Sequence, residues 1–438
     1  MIRTNVMAAR SRVGTDVGAA TVESQYRVVR SATSALAAEV TAEDQMVQSF
    51  PDASPMKWHQ AHTTWFFETF VLRPFCREYK PFREEFRWLF NSYYNSLGET
   101  IPGKGLRSAF SRPSLDEVLA FRAHVDREMH RFLANGANEE ATRRIVLGLN
   151  HEQQHQELAM ADIKHAFFSN PLYPSYAATR FPEDKGSPVS KQKWHSFEGG
   201  LIEIGYALEA ATALDFCFDN ETPRHKVYLE PFQIANREVT CGEFLEFILD
   251  GGYTRSELWL SEGWDTVNRE GWRTPLYWDA DPADQTGWRV FTLTGWRVLS
   301  ALLATPVCHV SFFEADAFAR WRGCRLPTEG EWEHVARQTP PRGNLLDTGR
   351  LHPTAARGEG IDQLFGDCWE WTASAYTGYP GYKPIPGALG EYNGKFMSGQ
   401  MVLRGGSCVT PATHIRATYR NFFPPATRWQ FTGIRLAS

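Results

Sequence analysis

A proline-rich segment, residues 169–192, separates two halves of the chain whose apolar residues follow different patterns. It contains four prolines and shows no helical period. Proline inside a helix removes a hydrogen bond and clashes with the preceding turn, so we predict an interdomain crossover here. The domains would be 1–168 and 193–438, and 438 residues are enough to give each its own core.

The first half has the pattern of an antiparallel helical bundle. Apolar residues recur at intervals of three and four, which is the period of an amphipathic helix. Ser114 and Glu117 form a capping-box sequence, and Asn138 is suited to cap a further helix. Short connections favour antiparallel neighbours. The predicted helices are 21–49, 56–97 with a break near Pro74 or Pro81, 114–135 and 139–168.

The second half consists of short apolar and aromatic runs separated by glycine and proline, and it contains most of the 15 tryptophans. Such runs are typical of strands joined by turns. Helical patterns occur only at 240–252 and 312–323. Together the halves predict an α+β fold.

Composition excludes several classes of function. The net charge is -5, with 46 basic and 51 acidic residues well mixed, so no basic stripe is available for nucleic acid. No apolar run approaches membrane-spanning length and the N-terminus lacks a signal-peptide pattern, so we expect a cytoplasmic protein without a membrane partner. The seven cysteines include no C-x-x-C pair, so any metal would be held by nitrogen or oxygen.

The stretch "NHEQQHQELAM", residues 150–160, places His151 and His155 four residues apart on one helical face. The helix containing "WHQAHTTWFFETF" can face it, and there His62 lies on the side expected to be buried. We predict His62 as the third metal ligand and His59 as a helix-surface residue or a residue supporting the ligands. Three imidazoles alone do not distinguish zinc, copper and iron.

The same stretch also matches the zinc-peptidase pattern H-E-x-x-H, with Glu152 as the residue that would activate water. The extended form of that pattern requires a third histidine where this chain has Ala161. A more distant ligand would have to come from the proline-rich crossover. Zinc hydrolysis is therefore the weaker alternative.

Several motifs resemble the ergothioneine-biosynthesis sulfoxide synthases, which are non-haem iron enzymes. They are "HEQQHQE", "AHTTWFFE" and "LFNSYYNSLG" in the first half, which resembles DinB-like four-helix bundles. In the second half "GCRLPTEGEWEHVAR", "GDCWEWTAS", "VLRGGSC" and "YRNFF" resemble the formylglycine-generating-enzyme-like domain, a fold related to C-type lectins.

This resemblance implies an Fe(II) site formed by His62, His151 and His155. There O2 would join the sulfur of cysteine, or of gamma-glutamylcysteine, to the imidazole C2 of hercynine, with sulfoxidation. Gln154 would hydrogen-bond the hercynine imidazole, and Glu152 would have no peptidase role.

The motif "FNSYYNS" supplies Tyr93 and Tyr94 as candidate proton or hydrogen donors. The resemblance implies that paired tyrosines here mark a subgroup that uses free cysteine. Relatives that use gamma-glutamylcysteine carry arginines shortly afterwards, whereas the first basic residue here is Lys104. Since adjacent helical tyrosines usually divide between core and surface, we expect one of them to contact oxygen and slightly favour Tyr94.

The resemblance also implies a substrate loop near the C-terminus, in "TYRNFFPPATRWQF". Aromatic faces suit a quaternary ammonium, and amide or guanidinium donors suit a carboxylate. Phe423 and Trp429 could instead pack the end of the core. The predicted substrate-binding residues of the loop are Arg420, Asn421, Phe422 and Phe423.

Other functions remain as alternatives. A formylglycine-generating oxidase would need two nearby cysteines, but only Cys408 lies in the final 70 residues. A 5-histidylcysteine sulfoxide synthase commonly carries a methyltransferase domain that has no counterpart here, and a selenium-inserting homologue would use the same iron site. A non-enzymatic binding module would leave the three inward histidines unexplained.

Overall fold

The computed structural model describes residues 21–92, 94–97, 103–177, 191–208, 212–358 and 360–438. Helices dominate up to Ser169, and strands with interspersed helices follow from Trp194. Within the described ranges, no helix is long and apolar enough to cross a membrane. The helices are α1 (Val22–Ala37), α2 (Met56–Phe67), α3 (Arg73–Phe75), α4 (Phe86–Leu89), α5 (Leu115–Ala134), α6 (Glu139–Ser169), α7 (Cys241–Leu249), α8 (Ser261–Glu270), α9 (Phe312–Trp321), α10 (Glu329–Ala336) and α11 (Glu391–Gly394).

Helices α1, α2, α5 and α6 form the bundle, and the N-terminal caps predicted for α5 and α6 are confirmed. Ser114 and Glu117 make the reciprocal capping box at the start of α5, and the Asn138 side chain accepts the Ala141 N–H at the start of α6. Both helices lie within about two residues of their predicted ranges. These two helices could be predicted well because the capping residues and the apolar period indicate the same helix bounds.

Two predicted helices are too long. The first ends at Ala37 rather than 49, because Thr41 and Asp44 bond each other's backbone N–H and form a separate turn. In the second, α2 continues through a π-helical turn at 68–72 and ends with α3 just after Pro74. The described residues between 76 and 97 are mostly loop, with the short α4 and a 3₁₀ turn at Asn95–Leu97.

The strands of the second half form small sheets around a large aromatic core. The largest sheet has the order β10-β9-β8-β11, in which only the β8–β11 pair is parallel. Helices α7 and α9 confirm the predicted helical segments, whereas α8 and α10 were not predicted. The strands are β1 (Trp194–Phe197), β2 (Gly200–Ile204), β3 (His225–Leu229), β4 (Phe232–Ala235), β5 (Trp278–Ala280), β6 (Trp288–Thr292), β7 (Gly295–Val298), β8 (Trp369–Ala375), β9 (Met401–Arg404), β10 (Asn421–Phe423) and β11 (Thr432–Gly433).

Helix α6 packs against the other helices of the bundle and also against the second half. Its C-terminal part, including Met160 and Phe167, shares an apolar cluster with Phe291 and Phe431 of the second half. Apolar area removed from water stabilises the junction, at about 25 cal/mol per Å². The second half is therefore packed directly against the helix that carries His151 and His155.

Candidate metal and substrate site

The predicted histidine trio is brought together between α2 and α6. His151 and His155 are one turn apart on α6, and Nε2 of His151 lies 3.2 Å from Nε2 of His62. One nitrogen from each of the three rings lies within 4.8 Å of the other two. Three imidazole nitrogens at such spacing can converge on one ion and leave further positions open, as in catalytic zinc sites.

The ring of His62 is held in one orientation. Its Nδ1–H donates to the Phe90 carbonyl at 2.6 Å, which leaves Nε2 as the bare nitrogen of a neutral imidazole. Trp58 and Trp65, four residues before and three after, stack on the ring with centroids at 4.5 and 5.4 Å. The protein therefore presents Nε2 of His62 in the manner of a preorganised ligand.

The environment keeps all three imidazoles neutral. Burial, followed by the neighbouring His151, holds the pKa of His62 well below its usual value of 6.5. Burial lowers the pKa of His151 to about 4, and burial together with the neighbouring imidazoles holds that of His155 well below 6.5. A neutral imidazole is the form that binds a metal ion.

His59 is buried, at 2% exposure, so the helix-surface alternative was wrong and the supporting alternative fits. Its Nδ1 lies 2.8 Å from Nδ1 of His155, and its Nε2 lies 3.1 Å from Oδ2 of Asp162. Asp162 also accepts the backbone N–H of Ser54 at 2.8 Å.

Glu152, the glutamate of the H-E-x-x-H pattern, is occupied elsewhere in the bundle. Its carboxylate accepts hydrogen bonds from Thr33, Arg30 and Arg122 at 2.6, 2.9 and 2.7 Å, and it is completely buried. The two arginines lower its pKa to about 2 despite its burial. This ionised, fully bonded group links helices of the bundle and does not have the position of a water-activating base.

A cavity of about 230 Å³ opens at the trio and is lined by residues from both halves of the chain. From the bundle, Tyr94 and Arg107 line it together with the histidines. Arg107 stacks over Trp58 at 3.5 Å and donates to Ser54 and Ser92. The cavity therefore has a buried cation near the potential ligands.

Gln154 lines the cavity within a network whose directions can be assigned. Asn150 Nδ2 donates to a backbone carbonyl, so its Oδ1 accepts from His414 Nδ1–H at 3.0 Å. His414 Nε2 then accepts the Tyr419 O–H at 3.0 Å, and the Tyr419 oxygen accepts Gln154 Nε2–H at 2.8 Å. Burial holds the pKa of His414 well below 6.5, in agreement with a neutral ring. The Gln154 amide thus directs its donor to Tyr419 and retains Oε1 as an acceptor.

The second half contributes an aromatic wall. Asn421, Phe422 and Phe423 on β10 line the cavity, as do Tyr392 and Phe396. Phe422 stacks on Tyr376 with centroids 4.0 Å apart, which fixes its ring. Trp429, which could have been a core residue only, also lines the cavity and contacts Phe423 at 5.5 Å.

The structure does not bring Arg420 to this cavity. Its guanidinium is buried, pairs with Glu329 at 2.9 Å and stacks over Tyr379 at 3.9 Å. Arg420 is therefore in the core, whereas the adjacent Asn421 lines the cavity. Through this pair Arg420 holds the segment that carries Asn421 and Phe422 in place.

Of the two candidate tyrosines, Tyr94 is described and Tyr93 lies outside the described residues. Tyr94 lines the cavity and its ring packs between Trp65 and Phe70, with centroids at 5.5 and 5.1 Å. Its aromatic packing limits movement of the phenol beside the histidines.

Sequence reasoning missed part of the site. Arg107, Tyr392 and Phe396 carry no local motif that separates them from ordinary loop and core residues. Tyr419 is the first residue of the "YRNFF" motif, which was the signal that could have found it, since the predicted substrate loop lies there.

Comparison with known proteins agrees with this architecture. The DinB superfamily matches residues 25–159, and the sulfatase-modifying factor enzyme 1-like domain matches 181–357 and 353–438. The first covers the helical bundle that holds the histidine trio, and the second covers the part that provides the aromatic wall.

Relatives extend the similarity across both halves. Hercynine oxygenase of Mycobacterium tuberculosis is 34% identical over 314 residues, covering 66% of this chain and 70% of that protein. Hercynine oxygenase of Mycolicibacterium smegmatis is 32% identical, covering 67% and 71%. Ergothioneine biosynthesis protein 1 of Schizosaccharomyces pombe is 28% identical, covering 50% of this chain and 27% of that protein. The chain therefore belongs to the hercynine oxygenase family, the ergothioneine-biosynthesis sulfoxide synthases that its motifs resemble.

Proposed function

We propose that the protein is an Fe(II)-dependent oxygenase that uses O2 to join the sulfur of cysteine to the imidazole C2 of hercynine, with sulfoxidation. The observation that carries the proposal is the cavity: one wall holds three neutral histidines and the facing wall is aromatic. Membership of the hercynine oxygenase family supports the reaction class.

The residues present fit an iron ion. His62, His151 and His155 would hold it through neutral nitrogens, and imidazole is a common ligand for iron. A bound Fe(II) ion would supply the redox chemistry that the use of O2 requires. The open cavity beside the three nitrogens gives the reactants access to the same place.

Hercynine carries a quaternary ammonium, a carboxylate and an imidazole, and the cavity has a group suited to each. Phe422, Phe423 and Tyr392 present aromatic surface to the ammonium. Asn421 Oδ1 accepts the Phe422 N–H, so its Nδ2 is the donor that the carboxylate would meet. Gln154 Oε1, directed by Tyr419, would accept an imidazole N–H.

The thiol substrate would bind on the bundle side. Arg107 offers a guanidinium for its carboxylate, and charge-assisted hydrogen bonds of this kind are the strong ones. Lys104 also lines the cavity but pairs with Asp52 at 3.0 Å. One buried arginine matches the single carboxylate of cysteine better than the two carboxylates of gamma-glutamylcysteine.

Tyr94 is the described residue best placed to donate a proton at the site. A phenol can transfer a proton and, where needed, an electron. Its ring is buried among Trp65 and Phe70, which limits water around it, and it lines the same cavity as the three histidines. We assign the donor role to the Tyr93–Tyr94 pair, with Tyr94 preferred.

Anaerobically purified protein loaded with Fe(II) tests the reaction. O2 consumption should require hercynine and cysteine together, and mass spectrometry should show the joined sulfoxide. Histidine in place of hercynine tests the 5-histidylcysteine alternative, and gamma-glutamylcysteine in place of cysteine tests the thiol through kcat/KM. The His155→Ala variant should lose turnover. Zinc-dependent peptide cleavage, or full turnover in His155→Ala, would disprove the proposal.

A further inference from the structure

His59 lies beside the histidine trio without joining it. It is one helical turn before His62 on α2, and its side chain is buried. The nitrogens within 4.8 Å of one another belong to His62, His151 and His155, whereas His59 Nδ1 faces Nδ1 of His155. His59 therefore contacts a potential ligand at Nδ1, which leaves Nε2 of His155 for a metal ion.

The direction of its hydrogen bonds follows from Asp162. The Asp162 Oδ2 atom accepts the Ser54 N–H, and a carboxylate oxygen has no hydrogen to donate. Nε2 of His59, 3.1 Å from this oxygen, must then carry the hydrogen. In a neutral His59 the bare nitrogen is Nδ1, which accepts the Nδ1–H of His155 at 2.8 Å.

The opposite direction would disable the site. If His59 donated from Nδ1, Nδ1 of His155 would be the acceptor and its Nε2 would carry the hydrogen of the neutral ring. That nitrogen could not then bind a metal ion. Nε2 of His155 is bare only if His155 donates to His59 and His59 donates to the Asp162 carboxylate.

We propose that Asp162 and His59 form a positioning pair that fixes His155 as an Nε2 ligand and increases its basicity. The proposal rests on the metal site of the proposed function. Hydrogen-bond partners of ligand histidines set the tautomer and ring orientation, and their loss typically costs about 10- to 100-fold in metal affinity.

The three potential ligands differ in their hydrogen-bond partners, and the partner of His155 is one that mutation can remove. The partner of His62 is the backbone carbonyl of Phe90, which substitution does not remove. Nδ1 of His151 is buried and has no hydrogen-bond partner among the described residues. Among the described residues, His155 is thus the potential ligand whose supporting hydrogen bond is made with a side chain.

Titration with Co(II) under anaerobic conditions tests the pair, because Co(II) absorbs visible light in a way that depends on its ligands. His59→Phe keeps an aromatic ring but removes the acceptor, and should weaken Co(II) binding about 10- to 100-fold. His59→Gln can accept through Oε1 and should recover most of the affinity. Asp162→Asn should give an intermediate Kd and a shifted spectrum at saturating Co(II).

Two variants serve as references. His165→Phe, on the same helix as His155, removes a histidine that bonds Ser49 at 2.7 Å outside the trio, and should bind Co(II) like the unmodified protein. His155→Ala should lose tight binding. Circular dichroism and urea unfolding check that each variant is folded.

A Co(II) Kd of His59→Phe within about twofold of the unmodified protein would overturn the proposal. A loss as complete as that of His155→Ala, with no recovery in His59→Gln, would make His59 a ligand and also overturn it. Unchanged Co(II) binding in His155→Ala would instead disprove the metal site itself. The two failures are therefore distinguishable.

Discussion

The indole N–H of Trp369 donates to Oε1 of Glu157 at 2.6 Å, which links the core of the second half to the helix carrying His151 and His155. Thr410 bonds the other carboxylate oxygen of Glu157. The aromatic wall and the histidine trio are thus fixed relative to each other by buried bonds as well as by apolar packing.

Trp369→Phe should reduce the free energy of unfolding by about 1.5–3 kcal/mol, because a buried acidic group loses a hydrogen bond. Urea unfolding measures this change. Trp88→Phe, at a side chain 40% exposed, is the control and should change it little. Equal stability of the Trp369 and Trp88 variants would contradict the expected role of the bond.

Tyr419→Phe should raise the KM for hercynine about 3- to 10-fold while leaving the KM for cysteine unchanged. Without the hydroxyl, the Gln154 amide loses the partner that keeps its Oε1 directed to the cavity, at a cost typical of one hydrogen bond. Steady-state kinetics with each substrate varied in turn measure the split. Tyr228→Phe, at an exposed tyrosine, is the matched control. Equal increases in both KM values would point to general damage instead.

Phe422→Leu should weaken hercynine binding about 2- to 30-fold, because an aromatic face contributes about 0.5–2 kcal/mol to binding a cation. The preference for hercynine over histidine, measured as a ratio of kcat/KM, should fall with it. Phe75→Leu removes an aromatic ring under Arg144, outside the cavity, and should leave that ratio intact. An unchanged ratio of kcat/KM values in Phe422→Leu would show that the aromatic wall takes no part in substrate recognition.

Glu152→Ala should destabilise the fold by about 3–5 kcal/mol, since it leaves Arg30 and Arg122 buried without their shared partner. Urea unfolding measures the loss. Glu140→Ala removes an exposed pair with Arg144 and should cost at most about 0.5 kcal/mol. A Glu152→Ala protein of normal stability that had lost only turnover would favour a catalytic glutamate.

Glu68 should make stability depend on pH. Burial raises its pKa to about 7, above the 4.5 expected when unfolded, so the folded state keeps a proton that the unfolded state releases between these values. Its contribution to stability should therefore decline as pH rises from 4.5 to 7. Glu68→Gln should flatten that part of the urea-unfolding profile, whereas Glu78→Gln, on an exposed residue, should not. Parallel profiles for the unmodified protein and Glu68→Gln would contradict this assignment.

The sequence allowed prediction of features that depend on neighbouring residues along a helix. The caps at Ser114 and Asn138, and the shared face of His151 and His155, follow from helical spacing alone. His62 could be chosen because apolar neighbours indicated its buried side. Each of these predictions used only the residue pattern within one or two helical turns.

Features that depend on packing between distant segments were not predictable in this way. The partner of His59 is Asp162, which lies 103 positions away on another helix. Arg420 and Asn421 are adjacent in one motif, yet one enters a buried ion pair and the other faces the cavity. Tyr392 and Phe396 become part of the wall only because the second half packs onto α6.

Helix α6 carries several functions at different angles around its axis. Glu152 faces the other helices of the bundle, His151 and His155 face His62, and Glu157 faces the second half. Each added residue rotates the following helix by about 100°. One residue inserted after Glu152 would therefore turn His155 away from His151 and Glu157 away from Trp369 together. A single insertion in this part of the helix would thus remove the metal site and detach the second half at the same time.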